Sequence, residues 1–584
     1  MIETWVENEV VANKDGVYEI SGLDPIAYSD GRDVERYLAR AFESCSDLGT
    51  ESAELEQWIK DWPSEYHLSR KRAQLLNGFD YERSATVLEV GCGCGAISRF
   101  LAESFDTVIS IEGSRDRARL ARQRCREMSN ISIIAAPFQK VRFRKKFDII
   151  FCVGVFEYSA SFVDSPDPYS TIIDYFADNL EDNGVLVLAI ENQFGLKYFA
   201  SASEDHTKMS YDGIEGYPRF PGRVRTFGYR EIGQLISRKF GHIDYYFPCA
   251  DYKVPDGVLS EKLFELVDAG QLLGTFRSRD YLKPYYPVFS EKLAWRELAK
   301  NGKESFFSNS FLLVAAKSSN DSVRFPDLAV IYNRDRTESY QTRTRIYQDR
   351  DSGAVMVSKN PVNNVMSGRP AFRLQSYEEP WCEGETLQTD VLRRAMNRKA
   401  SFESIFDPTR AWFEHLSGLA TAAGRDADLP GNCTDAIWQN TIAGQDAVHL
   451  IDQEWVSANA IPLKIIVMRA VYRFLVELRE ADTLADSLRW MTTAQIIVRV
   501  AGLYGLDIGK ADLREFTAFE ATLNNLALGK TRNNAARHVR LILGRNQQVI
   551  KWLMNISRGR ASLRFYVQKV IRLLSRIYHD VMRG

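Results

Sequence analysis

The stretch SATVLEVGCGCGAISRFLAESFDTVISIE, residues 84–112, decides the fold of the N-terminal half of the chain. Residues 84–90 form an apolar run typical of a buried strand, and residues 96–105 place apolar side chains on one face of a helix. Three glycines alternate with two cysteines between these elements: Gly91, Cys92, Gly93, Cys94 and Gly95. The order of strand, glycine turn and helix predicts a doubly wound α/β domain, in which glycines let a ligand approach the backbone.

The two cysteines of this turn raise the alternative of a metal site. A structural zinc site needs about four ligands. The next cysteine, Cys125, stands alone, and neither a second cysteine pair nor a His-x-x-His motif follows. A disulfide between Cys92 and Cys94 would be badly strained. We therefore interpret both cysteines as small residues that fill space beside the glycines.

Further apolar runs continue the alternation of strands and helices. Strands are predicted at 106–112, 130–138, 147–158 and 183–192, and a helix at 114–128. An amphipathic helix over residues 62–76 enters the domain, and the apolar run 308–317 is suited to closing the sheet. Ligands of such sheets bind at the carboxyl ends of the strands.

The motif Glu-x-Gly-x-Gly-x-Gly, which begins at Glu89, resembles that of the class I S-adenosylmethionine (SAM)-dependent methyltransferases. The resemblance implies that Glu89 and the glycine turn hold the methionine part of SAM and that Glu112 binds the ribose. The acid that often contacts the adenine is missing from residues 135–139, so Phe138 is expected to stack on the ring. The dinucleotide pattern Gly-x-Gly-x-x-Gly fits Gly91, Gly93 and Ala96 only loosely.

A long polar and aromatic segment, residues 191–223, follows the last of these strands. Loops of this length inside a domain are usually functional or disordered, and the aromatic content argues against disorder. We expect this segment to cover the methyl acceptor, with His206 as the candidate base for a hydroxyl. The alternative is a histidine that only holds the loop. Tyr66, upstream, is either a residue that closes over SAM or a packed tyrosine.

A second pattern lies beyond the polar linker at residues 318–327. Two predicted strands, 342–349 and 354–361, include Lys359, and Asp435, Asn440 and Asp452 follow at the spacing found in protein-kinase-like and aminoglycoside-kinase-like folds. The resemblance implies that Lys359 contacts ATP, that Asp435 orients an acceptor hydroxyl, and that Asn440 and Asp452 hold Mg²⁺. The sequence lacks a glycine-rich phosphate loop, so a non-catalytic scaffold is the alternative.

Composition and charge restrict the class of protein. The chain has 584 residues, a net charge of −2 and eight scattered cysteines, which predicts a cytoplasmic protein with reduced thiols. The N-terminus lacks the features of a signal peptide, and no apolar run reaches the length of a membrane span. Residues 531–584 carry 12 basic residues and one acid. The helix predicted at 561–584 can lie on an anionic membrane or pack against a partner helix.

The predicted domains are an acidic segment at 1–61, a methyltransferase domain at 62–318, a kinase-like α+β domain at 319–460 and a helical region at 461–584. This order resembles the bacterial methyltransferase–kinases that terminate O-antigen chains. The resemblance implies a lipid-linked glycan acceptor, capping of its terminal sugar or sugar phosphate, and peripheral association with the inner face of the membrane. It also implies a membrane-associated glycosyltransferase partner for the C-terminal helices, and it allows a homo-oligomer. No nucleic-acid partner is expected.

Overall fold

The computed structural model describes residues 2–26, 31–222, 224–318, 322–363, 370–421, 427–444, 447–478, 483–529, 531–545 and 547. The chain divides into two units. The first comprises residues 1–285, 298–332 and 344–357, and the second comprises residues 286–297, 333–343 and 358–584. The C-terminal helix predicted at 561–584 lies outside the described residues.

A large mixed sheet forms the centre of the first unit. Its strands run in the order β1-β2-β6-β5-β4-β7-β8-β11-β9-β10-β13. The pairs from β2 to β8 in this order are parallel, and those from β8 to β13 are antiparallel. These strands are β1 Val10–Ala12, β2 Tyr18–Ile20, β4 Thr86–Val90, β5 Thr107–Glu112, β6 Ile131–Ala135, β7 Phe147–Val153, β8 Leu180–Glu191, β9 His242–Cys249, β10 Gly257–Ser260, β11 Ser310–Ala316 and β13 Ala329–Asn333. Strands β3 Asp80–Tyr81 and β12 Val323–Arg324 pair with each other in a separate two-stranded sheet.

Both faces of the parallel strands are buried. Along β4, Leu88 and Val90 belong to one hydrophobic cluster and Val87 to another, because successive side chains of a strand point to opposite faces. Helices cover these faces, as expected of a parallel sheet. The helices of the first unit are α1 Arg32–Ser44, α2 Ala53–Glu56, α3 Trp62–Leu68, α4 Ala96–Ser104, α5 Arg115–Arg124, α6 Ser159–Phe162, α7 Pro168–Asn179, α8 Leu196–Phe199, α9 Tyr229–Ile236, α10 Glu261–Leu266, α11 Gly270–Leu273 and α13 Glu304–Phe307. Helix α12 Glu291–Ala299 belongs mostly to the second unit.

Three details differ from the sequence prediction. The helix predicted at 62–76 ends at Leu68, because Ser69 is extended and begins a 3-10 turn. The strand predicted at 147–158 ends at Val153, before Gly154 turns the chain at φ 68°. Strand β11, predicted to close the sheet, lies inside it between β8 and β9.

The acidic N-terminal segment also contributes to the sheet. Strand β2 pairs in parallel with β6, so part of the region predicted as a separate segment at 1–61 extends the first unit's sheet. Within the described part of the chain, no helix combines the length and the apolar character needed to cross a membrane.

The second unit is built mainly of helices around one hydrophobic cluster, whose largest members include Trp412 and Trp438. Its helices are α14 Leu387–Ala395, α15 Phe402–Phe406, α16 Arg410–Leu419, α17 Leu463–Glu477, α18 Thr493–Leu503, α19 Lys510–Leu528 and α20 Arg532–Leu543. The remaining strands are β14 Thr342–Gln348, β15 Val355–Pro361, β16 Phe372–Leu374, β17 Tyr377–Pro380, β18 Asp428–Leu429, β19 Thr441–Ala443, β20 Val448–Leu450, β21 Trp455–Ser457 and β22 Ile461–Pro462. Strands β14 and β15 contain the residues at which the chain passes between the units.

Candidate active site

The glycine turn between β4 and α4 has a conformation that side chains disfavour. Gly91, Gly93 and Gly95 have φ angles of 77°, 57° and 87°. A Cβ atom on Gly91 would lie 2.2 Å from the Val155 side chain, and one on Gly95 would lie 2.8 Å from the Ala121 Cα atom. The turn therefore packs too tightly against its neighbours for side chains at these two positions.

Gly93 differs from the other two glycines because its nearest neighbour is a flexible side chain. A Cβ atom there would approach only the guanidinium of Arg117, at 3.0 Å. The Gly93 N–H donates to Glu112 Oε2 at 2.7 Å, and the Ser114 N–H donates to Glu112 Oε1 at 3.0 Å. Glu112, at the carboxyl end of β5, thus fixes the conformation of the glycine turn through these two hydrogen bonds.

Glu89 lies at the carboxyl end of the neighbouring strand β4 and is also buried. Its Oε2 atom accepts a hydrogen bond of 2.6 Å from the Ser110 hydroxyl. Burial raises the pKa of the Glu89 carboxyl to about 7, although the hydrogen bond from Ser110 lowers it. Glu89 can therefore change its charge near neutral pH when a cationic ligand binds.

One cavity of about 260 Å³ brings most of the predicted methyltransferase residues together. Gly95 does not line it, because Gly95 faces α5. The predicted residues in the lining are Tyr66, Glu89, Gly91, Gly93, Glu112, Phe138 and His206.

The two predicted aromatic contacts lie at different places in this cavity. Phe138 is half-buried and packs against Tyr175 and Phe176, with ring centroids 5.8 and 6.4 Å away. The Tyr66 ring lies under the Arg72 guanidinium, 4.3 Å from the ring centroid. Both rings line the cavity and can contact a bound ligand.

His206 lies among carboxylates. Its Nδ1 atom is 2.8 Å from Glu204 Oε1, and its Nε2 atom is 3.6 Å from Glu157 Oε1 and 3.9 Å from Glu191 Oε2. Burial opposes a charge on the imidazole, but hydrogen bonds to Glu157 and Glu204 raise the pKa of His206 to about 10. The neighbouring carboxylates therefore favour the charged form of the imidazole at the position predicted to hold a base.

The sequence places Glu204 and Asp205 beside this histidine, but sequence reasoning missed Glu157, Glu191 and Lys253. Glu157 follows β7 and Glu191 ends β8, so both lie at the carboxyl ends of parallel strands, a position that could have identified them. Lys253 comes from a region with no assignable pattern. Its ammonium contacts Glu191 and lies 2.8 Å from Asp205 Oδ2.

A second buried lysine joins the same network. The Lys197 ammonium lies 3.0 Å from Asp205 Oδ2 and 3.2 Å from Asp251 Oδ2. Tyr281 donates to the Asp251 carboxylate at 2.7 Å. We call the eight charged residues of this network the acceptor cluster: Glu157, Glu191, Lys197, Glu204, Asp205, His206, Asp251 and Lys253.

The segment predicted to cover the acceptor is an ordered loop with one short helix, α8. The Gln193 N–H donates to the Phe227 carbonyl at 3.1 Å and closes the neck of the loop. Four residues in it have positive φ without being glycine: Ser201, Lys208, Tyr211 and Tyr217. Such strained backbone persists where the surrounding structure fixes it, often at functional sites.

The predicted kinase-like residues lie together in the second unit. The Lys359 ammonium is 2.5 Å from Asp452 Oδ1 and 3.0 Å from Glu454 Oε2. Asn440 uses its Nδ2 atom to donate to the backbone carbonyl oxygens of Asp435 and Asp452. Asp452 has φ 55°, a conformation unusual for a residue other than glycine.

Asp435 differs from the role that the sequence predicts for it. It is buried, and its Oδ1 atom accepts from the Arg469 guanidinium at 2.6 Å. Arg469 also pairs with Glu520 Oε1 at 2.6 Å. In this structure, Asp435 is therefore the partner of a buried arginine.

Comparisons with known proteins match the glycine turn and the strands that follow it. A family model described as a methyltransferase domain matches residues 87–173. The cyclopropane-fatty-acyl-phospholipid synthase of Escherichia coli (strain K12) is 28% identical over 103 residues, which are 18% of this chain. The chain spans about a quarter of the length of that curated relative, since the match covers 25% of it.

Solved structures match over a longer part of the chain at low identity. The N-methyltransferase NodS from Bradyrhizobium japonicum WM9, in complex with S-adenosyl-L-homocysteine, is 19% identical and covers 35% of this chain and 86% of its own, with a TM-score of 0.22. The cyclopropane synthase MmaA2 from Mycobacterium tuberculosis is 14% identical and covers 49% of this chain and 94% of its own, with a TM-score of 0.27. Scores this low carry no argument about function. The matched domain and the mixed sheet identify a class I methyltransferase α/β fold in the first unit.

Proposed function

We propose that the first unit binds SAM and transfers its methyl group to an acceptor hydroxyl. The observation that carries this proposal is the convergence of Glu89, Gly93 and Glu112 on one cavity, at the carboxyl ends of parallel strands. Gly93 lines this cavity and has no side chain that would keep a ligand away from the turn. The residues present therefore fit the cofactor that the methyltransferase family model implies.

Each of these residues has a part in holding SAM. The Glu89 carboxylate pairs with the ammonium of the methionine part, and the Glu112 carboxylate accepts from the ribose hydroxyls. Phe138 packs against the adenine, and Tyr66 covers the ligand from α3. SAM supplies an activated methyl group, so the protein contributes mainly the alignment of the acceptor.

The acceptor cluster indicates which acceptors fit. Its five carboxylates outnumber its two lysines and His206, so the cluster favours a neutral acceptor over an anionic phosphate. A neutral sugar hydroxyl can donate to a carboxylate. Glu157 lines the cavity, and its Oε2 atom is buried without a hydrogen-bond partner. We assign to Glu157 the role of accepting the hydroxyl proton, with His206 fixing its position.

Within this proposal, the acceptor is the terminal sugar of a bacterial surface polysaccharide carried on a lipid, and methylation stops its elongation. The support is the resemblance in domain order together with Glu157, which lines the cavity and can accept a hydrogen bond from a sugar hydroxyl. The alternative is an O-methyltransferase for a free sugar or another small hydroxyl compound. A lipid-linked glycan and its free oligosaccharide, tested side by side, distinguish the two.

The test of the proposed reaction is methyl transfer from labelled SAM to plain and phosphorylated glycans. We expect label on the plain glycans and little on the phosphorylated ones. Glu112→Gln should lower SAM affinity at least tenfold by calorimetry, since it removes the ribose-facing charge. Glu181→Gln, at an exposed position on β8, is the matched control. Unchanged SAM affinity in Glu112→Gln would remove the proposal's basis.

A second proposal concerns the second unit, for which we infer nucleotide binding. Its support is the pairing of Lys359 with Asp452 and the positive φ of Asp452. Lys359 would contact phosphate, and Asp452 with Asn440 would hold Mg²⁺. The ion pair between Asp435 and Arg469 favours a scaffold over phosphoryl transfer, so we propose binding without assigning turnover.

A further inference from the structure

Three side chains that commonly bind metals converge at the acceptor side of the cavity. Glu157 follows β7, Glu191 ends β8 and His206 comes from the loop between β8 and β9. One candidate ligand atom from each lies within 4.8 Å of the other two. Three separate segments of the fold therefore place an imidazole and two carboxylates around one point.

Two oxygen atoms in this group are buried without hydrogen-bond partners. They are Glu157 Oε2 and Glu191 Oε2. The two residues are only 1% and 0% exposed. A buried carboxylate oxygen without a partner is costly. A cation bound by Glu157 Oε1, Glu191 Oε2 and His206 Nε2 would satisfy the Glu191 oxygen and would leave Glu157 Oε2 to accept a proton. Glu191 Oε2 faces His206, whereas Glu191 Oε1 already contacts Lys253.

A carboxylate holds one ring nitrogen of His206, as is usual for metal-binding histidines. Its Nδ1 atom lies 2.8 Å from Glu204 Oε1, which leaves Nε2 facing Glu157 and Glu191. Glu204 is itself held by the backbone N–H groups of His206 and Thr207, at 2.8 and 2.5 Å. A carboxylate that fixes the ring in this way is the second layer expected of a metal site.

The charge of the acceptor cluster also favours a cation. The cluster places five carboxylates beside two lysines and His206, so acidic groups outnumber basic ones, and a bound cation would reduce this excess. His206 Nε2 lies 3.6 Å from Glu157 Oε1 and 3.9 Å from Glu191 Oε2. Two ligand atoms that are each about 2.1 Å from one ion lie roughly 3 Å apart when they are adjacent and roughly 4.2 Å apart when they are opposite. Both observed distances fall within this range.

We propose that Glu157, Glu191 and His206 bind a divalent cation whose open position takes the acceptor oxygen. Mixed imidazole and carboxylate donors suit Mn²⁺ and related first-row ions. Cation binding does not depend on the proposed methyl transfer, but the role of the cation in activating the acceptor rests on it.

The chemistry follows from the positions of these groups. The cation lowers the pKa of a hydroxyl bound to it. The hydroxyl proton passes to Oε2 of Glu157, which has no hydrogen-bond partner. The acceptor oxygen forms a bond to the methyl carbon as the bond from that carbon to sulfur breaks. The products are a methyl ether, S-adenosylhomocysteine and a protonated Glu157.

The test uses the full chain, treated with a chelator, desalted and titrated with Mn²⁺ without nucleotide, with free Mn²⁺ followed by electron paramagnetic resonance. We expect one site in the Asp452→Ala background, which removes the candidate cation ligand of the second unit. Glu157→Gln and Glu191→Gln should each weaken Mn²⁺ binding at least 100-fold. Glu204→Gln should weaken it 10- to 100-fold. The exposed control Glu181→Gln should leave it unchanged.

The outcomes separate this inference from the proposed function. If Mn²⁺ does not bind, or binds equally to Glu191→Gln and the parent chain, the cation site is overturned. If SAM binds and methyl transfer proceeds at the same rate with chelator and with Mn²⁺, the role in activation is overturned while the proposed function stands. If SAM does not bind but Mn²⁺ binds and the variants lose it, the proposed function fails and the cation site stands. Melting curves without ligand identify any variant that unfolds. If Glu157→Gln and Glu191→Gln unfold, the Mn²⁺ affinity of Glu204→Gln is compared with that of the parent chain instead.

Discussion

At the scale of single residues, the three glycines of the turn have different reasons to be glycine. Gly95→Ala would push a Cβ atom against the α5 backbone, whereas Gly93→Ala meets only the flexible Arg117 side chain. We expect Gly95→Ala to lower the melting temperature strongly. Gly93→Ala should cost only about 1–2 kcal/mol of stability for its left-handed backbone, yet weaken SAM binding at least tenfold. Thermal melts and calorimetry on both variants test this; equal SAM affinity in Gly93→Ala and the parent would contradict it.

Glu89 gives SAM binding a pH dependence whose sign can be stated. Burial raises the pKa of Glu89 to about 7, so in the free protein the carboxyl is largely protonated below pH 7. It must lose that proton to pair with the SAM ammonium, and the α-amino group stays charged below its pKa of about 8. Affinity should therefore fall by up to tenfold per unit between pH 7 and 5.5.

Calorimetry across this pH range tests the prediction. In Glu89→Gln the dependence should flatten, because the amide does not titrate. A parent chain whose affinity is constant from pH 7 to 5.5 would show that Glu89 does not ionise on binding.

At the scale of elements, the short helix α3 carries Tyr66 and depends on its first turn. The Asp61 carboxylate accepts from the Ser64 N–H at 3.0 Å, and the Ser64 hydroxyl accepts from the Asp61 N–H at 3.0 Å. Asp61→Ala should lower the free energy of unfolding of the first unit by about 1 kcal/mol. Asp61→Asn should retain most of this stability, since asparagine caps helices as well as aspartate does. Denaturant melts that show the same decrease in the free energy of unfolding for both variants would contradict the capping role of Asp61.

The sequence predicts the parallel half of the sheet well and the rest poorly, for a physical reason. Strands β4 to β8 are apolar on both faces and are separated by a glycine turn and helices, so periodicity identifies them. The place of β11 between β8 and β9 depends on pairings distant in sequence. The break at Ser69 comes from a side-chain hydrogen bond to Lys71, which periodicity does not register.

The residues of the candidate site likewise divide into those that a local sequence pattern identifies and those that only the folded chain brings together. Glu89, Gly93 and Glu112 belong to one local motif and could be found from sequence. Glu157, Glu191 and Lys253 come from three segments that meet only in the folded chain, so no local pattern joins them to His206. The carboxylates of these neighbours raise the pKa of His206, an effect that the sequence alone does not predict.

At the scale of the whole molecule, the chain holds two units with separate candidate ligands. If Lys359 and Asp452 bind nucleotide, ATP with Mg²⁺ should raise the melting temperature of the second unit. Asp452→Ala should abolish the shift, and Lys359→Ala should reduce it. A parent chain whose melting is unaffected by ATP and Mg²⁺ would leave the scaffold as the explanation. SAM should raise the melting temperature of the parent chain and of both variants. This control shows that the first unit is still folded in the variants.

Asp435 provides a separate test of the scaffold. Removing one member of a buried ion pair leaves the other charge uncompensated, so Asp435→Ala should cost roughly 3 kcal/mol of stability in the second unit. Because Glu520 still pairs with Arg469, the loss lies at the lower end of the usual range. A variant as stable as the parent in denaturant melts would indicate that Asp435 is held for chemistry and not for structure.

The neck between Gln193 and Phe227 has an evolutionary consequence. A loop whose two ends are already joined can be exchanged for one of another length at little entropic cost, because the cost of closure grows only logarithmically with length. Insertions and recombination in this segment would alter Glu204, Asp205 and His206 while the glycine turn stays intact. Homologous chains could thus diverge in the molecules they modify and still inherit the same methyl donor.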